Sequence, residues 1–150
     1  MLRVESLSAS SAVHLNVNVQ HSKNNLDSSL KMNAGGPYSV RAYAAGTLTG
    51  DRGYFVSAEF RKILGIAWQT QWTAITMLDA ATLTSNQKSN GTEDGTTLLK
   101  GFGLGLLWVG PNQWTGSSYV ARPIGDLPNL PILAGKNKST RFSLEVKKYY

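Results

Sequence analysis

Arg41 and Asp51 stand in one glycine-bordered stretch, GGPYSVRAYAAGTLTGDRG (35–53), with strand-like sequence on both sides. A guanidinium carries five N–H donors in a planar fork that matches a carboxylate and stays protonated. The chemistry open to such a residue is the capture of an acid, not proton transfer. Charged residues make up only 16% of the chain, so a loop that holds both Arg41 and Asp51 calls for an explanation. Further acids, Glu59 and Asp79, fall on the polar sides of later strand patterns. Other chemistry is hard to find. His14 and His21 lack metal-ligating company, and GTEDGTT (91–97) lacks the Lys-Ser/Thr ending of a phosphate loop. No nucleophile–base pair is visible, so the expectation is a protein without catalytic residues, metal or cofactor.

The elements that must position these charges follow a period of two. Val13, Leu15, Val17 and Val19 alternate with His14, Asn16, Asn18 and Gln20. Tyr54, Val56, Ala58 and Phe60 alternate with Phe55, Ser57, Glu59 and Arg61. Gly65 reads as a short turn, and from Ile66 onward Trp68, Trp72, Thr76 and Leu78 oppose Gln71, Thr73, Met77 and Asp79. Leu98–Trp108, Trp114–Arg122 and Arg141–Tyr150 complete about six strands, while Asn25–Asn33 either continues a hairpin arm or carries a turn. At ~9–13 residues these strands exceed the ~5–6 usual in globular sheets and suit a tilted membrane crossing. Tight turns at 64–65 and 110–112 contrast with long polar loops at 84–97 and 125–138, the asymmetry of outer-membrane barrels. Trp68, Trp72, Trp108 and Trp114 are candidates for an interfacial girdle. Periodicity alone leaves a soluble β-sandwich or lipocalin-like barrel equally open.

Several classes are excluded. The net charge of +6 comes from scattered residues, the densest group being Lys136, Lys138, Arg141, Lys147 and Lys148, without a basic helix or aromatic reading motif, so nucleic acid is not the expected partner. The chain has no cysteine, which removes disulfides and thiolate metal sites. MLRVESLSASS lacks the apolar core of a secretory signal. Gly101–Ala121 is uncharged but holds five glycines and Pro111, too many breakers for a transmembrane helix.

The segment 26–61 resembles the C-terminal barrel of two-partner secretion transporters, the haemolysin secretion/activation family. The resemblance rests on Gly35-Gly36, Val40-Arg41-Ala42-Tyr43, Gly50-Asp51-Arg52-Gly53 and Glu59-Phe60-Arg61. It extends through TMLDAA (76–81), with Ala81 where the family usually has glycine, LKGFGLGLLWV (99–109) and VARPIG (120–125), covering about 12–150. Tyr150 stands where such barrels usually end in Phe and resembles the signal that the barrel-assembly machinery reads.

The resemblance implies an all-β, antiparallel up-and-down transmembrane barrel, of which residues 1–150 would supply about six C-terminal strands out of sixteen. POTRA domains and the earlier strands would be absent, as in a truncated or split gene. The stretch 34–53 would be a lumen loop carrying Gly35, Gly36, Val40, Arg41, Tyr43, Gly50, Asp51 and Gly53. Its arginine would meet the inner wall, with Asp79 as first partner and Glu59 as second. The implied work is secretion of a large haemolysin or adhesin through the lumen of an outer-membrane barrel without ATP. The partners are that exoprotein, outer-membrane lipid and the barrel-assembly machinery. An insertase-like barrel and a soluble β-barrel ligand-binding module are the alternatives.

Overall fold

The computed structural model describes residues 1–85, 96–128 and 139–149. Its strands are β1 (Leu2–Ser8), β2 (Ser11–Gln20), β3 (Met32–Ala34), β4 (Leu48–Gly50), β5 (Arg52–Ala67), β6 (Thr70–Thr84), β7 (Thr96–Val109), β8 (Trp114–Pro123) and β9 (Arg141–Lys148). Seven pair in chain order, β1-β2-β5-β6-β7-β8-β9, and each pairing is antiparallel. β3 and β4 form a separate small hairpin inside the β2–β5 connection. The fold is therefore an all-β meander. β1 and β9 are its edges, so the sheet is open among the described residues.

Two details depart from the sequence-based expectation, and a third refines it. β1 is a seventh strand in the sheet, and its polarity is inverted. Val4 lies opposite His14 and Glu5 opposite Val13, so Arg3 and Glu5 share the face on which β2 carries valine and leucine. Second, Gly65 is not a turn. β5 runs past it through a bulge between Ile63 and Gly65, and the chain reverses at Trp68-Gln69, between the paired Ala67 and Thr70. Both turn residues have positive φ, 52° and 57°, as a two-residue type I′ hairpin demands. Asn-Gly usually marks such a turn, and here neither residue does. Third, the 110–112 turn is a short 3-10 segment, Pro111–Gln113, closed by the Gly110 N–H donating to Trp114 O at 2.7 Å.

The turns at 9–10, 68–69 and 111–113 lie at one end of the sheet, and β2, β6 and β8 finish at the other. The face bearing Phe60, Leu78, Phe102, Leu104, Phe142 and Leu144 is exposed. Trp72 and Trp108 pair on that face near the tight turns, their ring centroids 6.0 Å apart. Trp68 projects from the hairpin tip, 89% exposed, and Trp114 lies under the Lys148 ammonium at 5.5 Å. All four tryptophans thus gather at one end. From Trp72 to Thr82 the strand rises ~3.3 Å per residue, ~25 Å along the axis at a tilt of ~40°, the height of an outer-membrane apolar band.

Burial occurs on the other face. Met32, Ala34, Val40, Ala42, Tyr43 and Leu48 of the β2–β5 connection pack on Phe55, Ala81, Leu83, Leu99 and Ala121 of the sheet. The inner wall, expected to be wet, is dry wherever this connection covers it. Burying Met32, Val40 and Leu48 contributes roughly 1.5–3 kcal/mol apiece, which makes apolar contact the main force holding the connection inside. Space for it comes from Gly101, where an added Cβ would lie 2.5 Å from the Ala42 Cβ. Gly101→Val should therefore lift the connection and leave the β6–β7–β8 ladder intact. The check is faster hydrogen exchange and proteolysis across 32–48 with unchanged strand content by circular dichroism.

Candidate functional site

The β2–β5 connection leaves the sheet at Gln20 and returns at Arg52, and its two ends are fastened together at Asp51. The Asp51 carboxylate is fully buried and accepts from the Leu26 backbone N–H at 2.7 Å. It also faces Lys31 Nζ at 3.5 Å and Ser85 Oγ at 3.4 Å. The Asp51 N–H donates to Thr84 O at 2.9 Å, so the same residue ties the loop base to β6. Gln20 Nε2 adds a hydrogen bond to Leu30 O at 3.0 Å. Gly50 ends β4 and Gly53 lies at the start of β5.

Beyond the β3–β4 hairpin the chain narrows to a tip, closed by the Gly36 N–H donating to Tyr43 O at 2.9 Å. Gly35 and Gly36 both take positive φ, 101° and 95°, and a Cβ on Gly35 would lie 2.1 Å from Ala44 O. No other residue type fits that path. Val40 and Tyr43 are buried against the wall. Burial pushes the Tyr43 phenol above its ordinary pKa, and a hydrogen bond with the Lys100 backbone opposes the shift.

Between Val40 and Tyr43 the tip sends Arg41 into a row of polar side chains. Its Nε donates to Asp79 Oδ2 at 2.9 Å and its Nη2 to Asp79 Oδ1 at 2.7 Å, a two-pronged fork. The Arg41 backbone N–H also reaches Asp79 Oδ2, at 3.1 Å. Nη1 donates to Glu59 Oε1, and Nη2 to Ser57 Oγ at 2.9 Å. Ser57 Oγ in turn donates to Asp79 Oδ1 at 2.8 Å. Glu59 is shared, its second oxygen accepting from Arg61 Nε at 2.8 Å. The Tyr119 ring lies 5.9 Å from the guanidinium carbon. Burial by itself would lower the Arg41 pKa, but the hydrogen bonds and charges of Asp79 and Glu59 outweigh it and hold the value above that of a free arginine.

The register explains why these groups meet. Ser57 is paired with Asp79, and Glu59 is two residues along β5 on the same inner face, opposite Met77. The structure thus brings Arg41 to Asp79 and Glu59, and leaves Asp51 at the loop base as a separate anchor. Ser57, Tyr119 and Lys31 join the two clusters without having been named as site residues from the sequence, and Arg61, part of the Glu59-Phe60-Arg61 motif, joins without having been assigned a partner. The alternation that turns Glu59 inward also turns Ser57 and Arg61 inward, so that signal was present for two of them. Nothing local pointed to Tyr119 or Lys31. Tyr150 lies outside the described residues.

Asp79 holds both the fork and the backbone of Arg41, whereas Glu59 holds one nitrogen and keeps Arg61 as a second partner. Asp79→Ala should therefore loosen the tip more than Glu59→Ala, because it leaves a desolvated guanidinium with a single acid. The loss of one partner from a buried pair costs about 3–5 kcal/mol. Hydrogen exchange of 36–43 should rise in that order, and Arg41→Lys, which cannot form the fork, should resemble Arg41→Ala rather than the parent.

The family model for haemolysin secretion/activation protein ShlB/FhaC/HecB matches residues 5–107, more than half of the chain. The match begins within β1, where the resemblance seen in the sequence begins only near residue 12, and it ends within β7, before β8 and β9. Neither the curated proteins nor the solved structures give a match. The residues that build both clusters, apart from Tyr119, lie within the matched stretch, and the chain belongs to the haemolysin secretion/activation family, the outer-membrane transporters of two-partner secretion.

Proposed function

We propose that this chain forms part of the wall of an outer-membrane barrel through which a large haemolysin or adhesin is secreted, and that the Arg41 loop organises its lumen. The observation that carries the reading is the opposite character of the two faces. One side of the sheet exposes Phe60, Leu78, Phe102, Leu104 and Phe142, with tryptophans gathered at the tight-turn end. The other receives the loop and the Arg41–Asp79–Glu59 network. An exposed apolar belt of this extent suits lipid. A fixed arginine on the concave side suits a passage in which one element must be kept in place.

In this reading, transport rests on shape and binding. Arg41 positions the loop tip, Asp79 and Glu59 are its receptors on the wall, and Gly35, Gly36, Gly50, Asp51 and Gly53 form its hinges and base. Sixteen-strand closure and delivery by the barrel-assembly machinery are further parts of the proposal, and family membership supports them. Among the outward charges, Lys62 and Lys100 are compatible with lipid because long basic side chains can extend toward the headgroups, and Arg3 and Glu5 on β1 pair with each other.

The rival is a soluble β-barrel binding module, and it is disfavoured because the tryptophan-bearing face is exposed instead of lining a core. Partitioning separates the two, since the secretion reading requires that the chain stay with outer membranes and need detergent for extraction. Within the transporter in which these residues work, Arg41→Ala should reduce secretion at least tenfold while the barrel still reaches the membrane at near-normal amounts. Tenfold corresponds to ~1.4 kcal/mol in the working equilibrium, well below what an unpaired buried acid costs. Normal secretion by Arg41→Ala would remove the assigned role.

A further inference from the structure

Besides the buried contacts of Val40 and Tyr43, the loop tip touches the wall at a place that the Arg41 network does not include. Tyr38, three residues before Arg41, donates its hydroxyl to Glu145 Oε1 on β9 at 2.7 Å. Glu145 also pairs with Lys147 Nζ at 3.0 Å. Arg41 is fastened to β5 and β6, and Tyr38 to β9, so the tip bridges the concave face from the middle of the sheet to its last strand, over β7 and β8. It separates two hollows. One of about 510 Å³ lies toward β1 and β2, with His14 and Asn16 in its lining, and one of about 250 Å³ lies toward β8 and β9, with Ser117 and Ser143. Pro37, Tyr38 and Arg41 line both.

We propose that Tyr38 is a positioning residue of the secretion lumen, and that its hydrogen bond to Glu145 holds the tip across the β8–β9 half so that this half stays closed. The inference rests on the reading of the Arg41 loop as a lumen organiser and adds a second clasp to it. The two clasps differ in kind. The Arg41 fork is almost out of water, with its side chain 10% and that of Asp79 2% exposed. The Tyr38 clasp is wet, Tyr38 being 76% exposed. A partly solvated hydrogen bond contributes little, so this contact is the one that yields first when a polypeptide enters. The tip would then swing about the Arg41 anchor and merge the two hollows without leaving the wall.

The test uses the reconstituted transporter, with ion conductance across planar bilayers and hydrogen exchange of residues 36–43 as readouts. Tyr38→Phe keeps the ring and removes only the hydroxyl. It should make wide openings roughly fivefold more frequent, the effect of losing one such bond. Glu145→Ala should match it. Glu145→Gln, whose amide oxygen still accepts, should stay near the parent, and Tyr38→Phe with Glu145→Ala should exceed neither single change. Parent-like conductance and exchange in Tyr38→Phe, or additive effects in the double variant, would overturn the inference. Arg41→Ala, run alongside, separates the two readings. If it impairs secretion while Tyr38→Phe is silent, only the Tyr38 clasp falls, and if it too secretes normally, both fall.

Discussion

The arrangement turns on a guanidinium that has left water. Arg41 stays charged, and in the shelter of the wall its charge is tolerable only with acids placed around it. Asp79 meets it edge to edge, Glu59 and Ser57 take one further N–H each, and the backbone N–H of Arg41 joins the same carboxylate as the fork. Such a network adds little net stability because desolvation offsets much of the attraction. Its value lies in position. Buried Met32, Val40 and Leu48 hold the connection against the sheet and would tolerate small displacements, whereas the fork accepts one orientation only.

That division of labour explains an unusual placement of the core. In a soluble sheet protein the apolar face packs and the polar face is wet. Here the larger apolar side chains of the sheet remain exposed, and the buried cluster forms on the polar side, beneath the loop. Local exceptions to the alternation make this possible. Phe55, Leu83 and Leu99 put apolar groups on the inner face, and Gly101 clears the spot where Ala42 rests. Phe55, Leu83 and Leu99 lie toward the end of the sheet from which the connection enters, and farther along the inner face sets Glu59 and Arg61 opposite the buried Met77 and Ile75.

Much of this was legible in the sequence, for identifiable reasons. Alternation fixed the facing of Ser57, Glu59 and Asp79, because side-chain direction in a strand depends only on parity. The arginine loop and its acids were legible as a resemblance to the secretion family. Other features depended on context that no local pattern carries. β1 escaped because Arg3 and Glu5 invert its polarity, so it has no apolar outer face to betray it. The turn was misplaced because Gly65 looks like a turn residue, whereas Trp68 and Gln69 adopt positive φ with no glycine to announce it. Lys31 and Tyr119 reach their clusters only through tertiary approach. Tyr38 has no signal at all, since its partner is 107 residues away.

The same physics bears on how such a loop could move. A tip held by apolar contact alone would slide by degrees, each small shift losing a little buried area. With a fork inside, intermediate positions are the worst ones, because the guanidinium would be separated from Asp79 before it regained water. The loop therefore has a docked state and a released one with little between, the bistable behaviour expected of packed polar contacts. The base reinforces this. Asp51 ties Leu26 and Lys31 to the same point at which the chain rejoins β5, so the ends of the connection cannot drift apart as the tip moves. Motion that leaves both Asp51 and Arg41 in place is confined to the short closed tip between Gly36 and Tyr43, where Val40 and Tyr43 are buried against the wall and the contact made by Tyr38 is exposed.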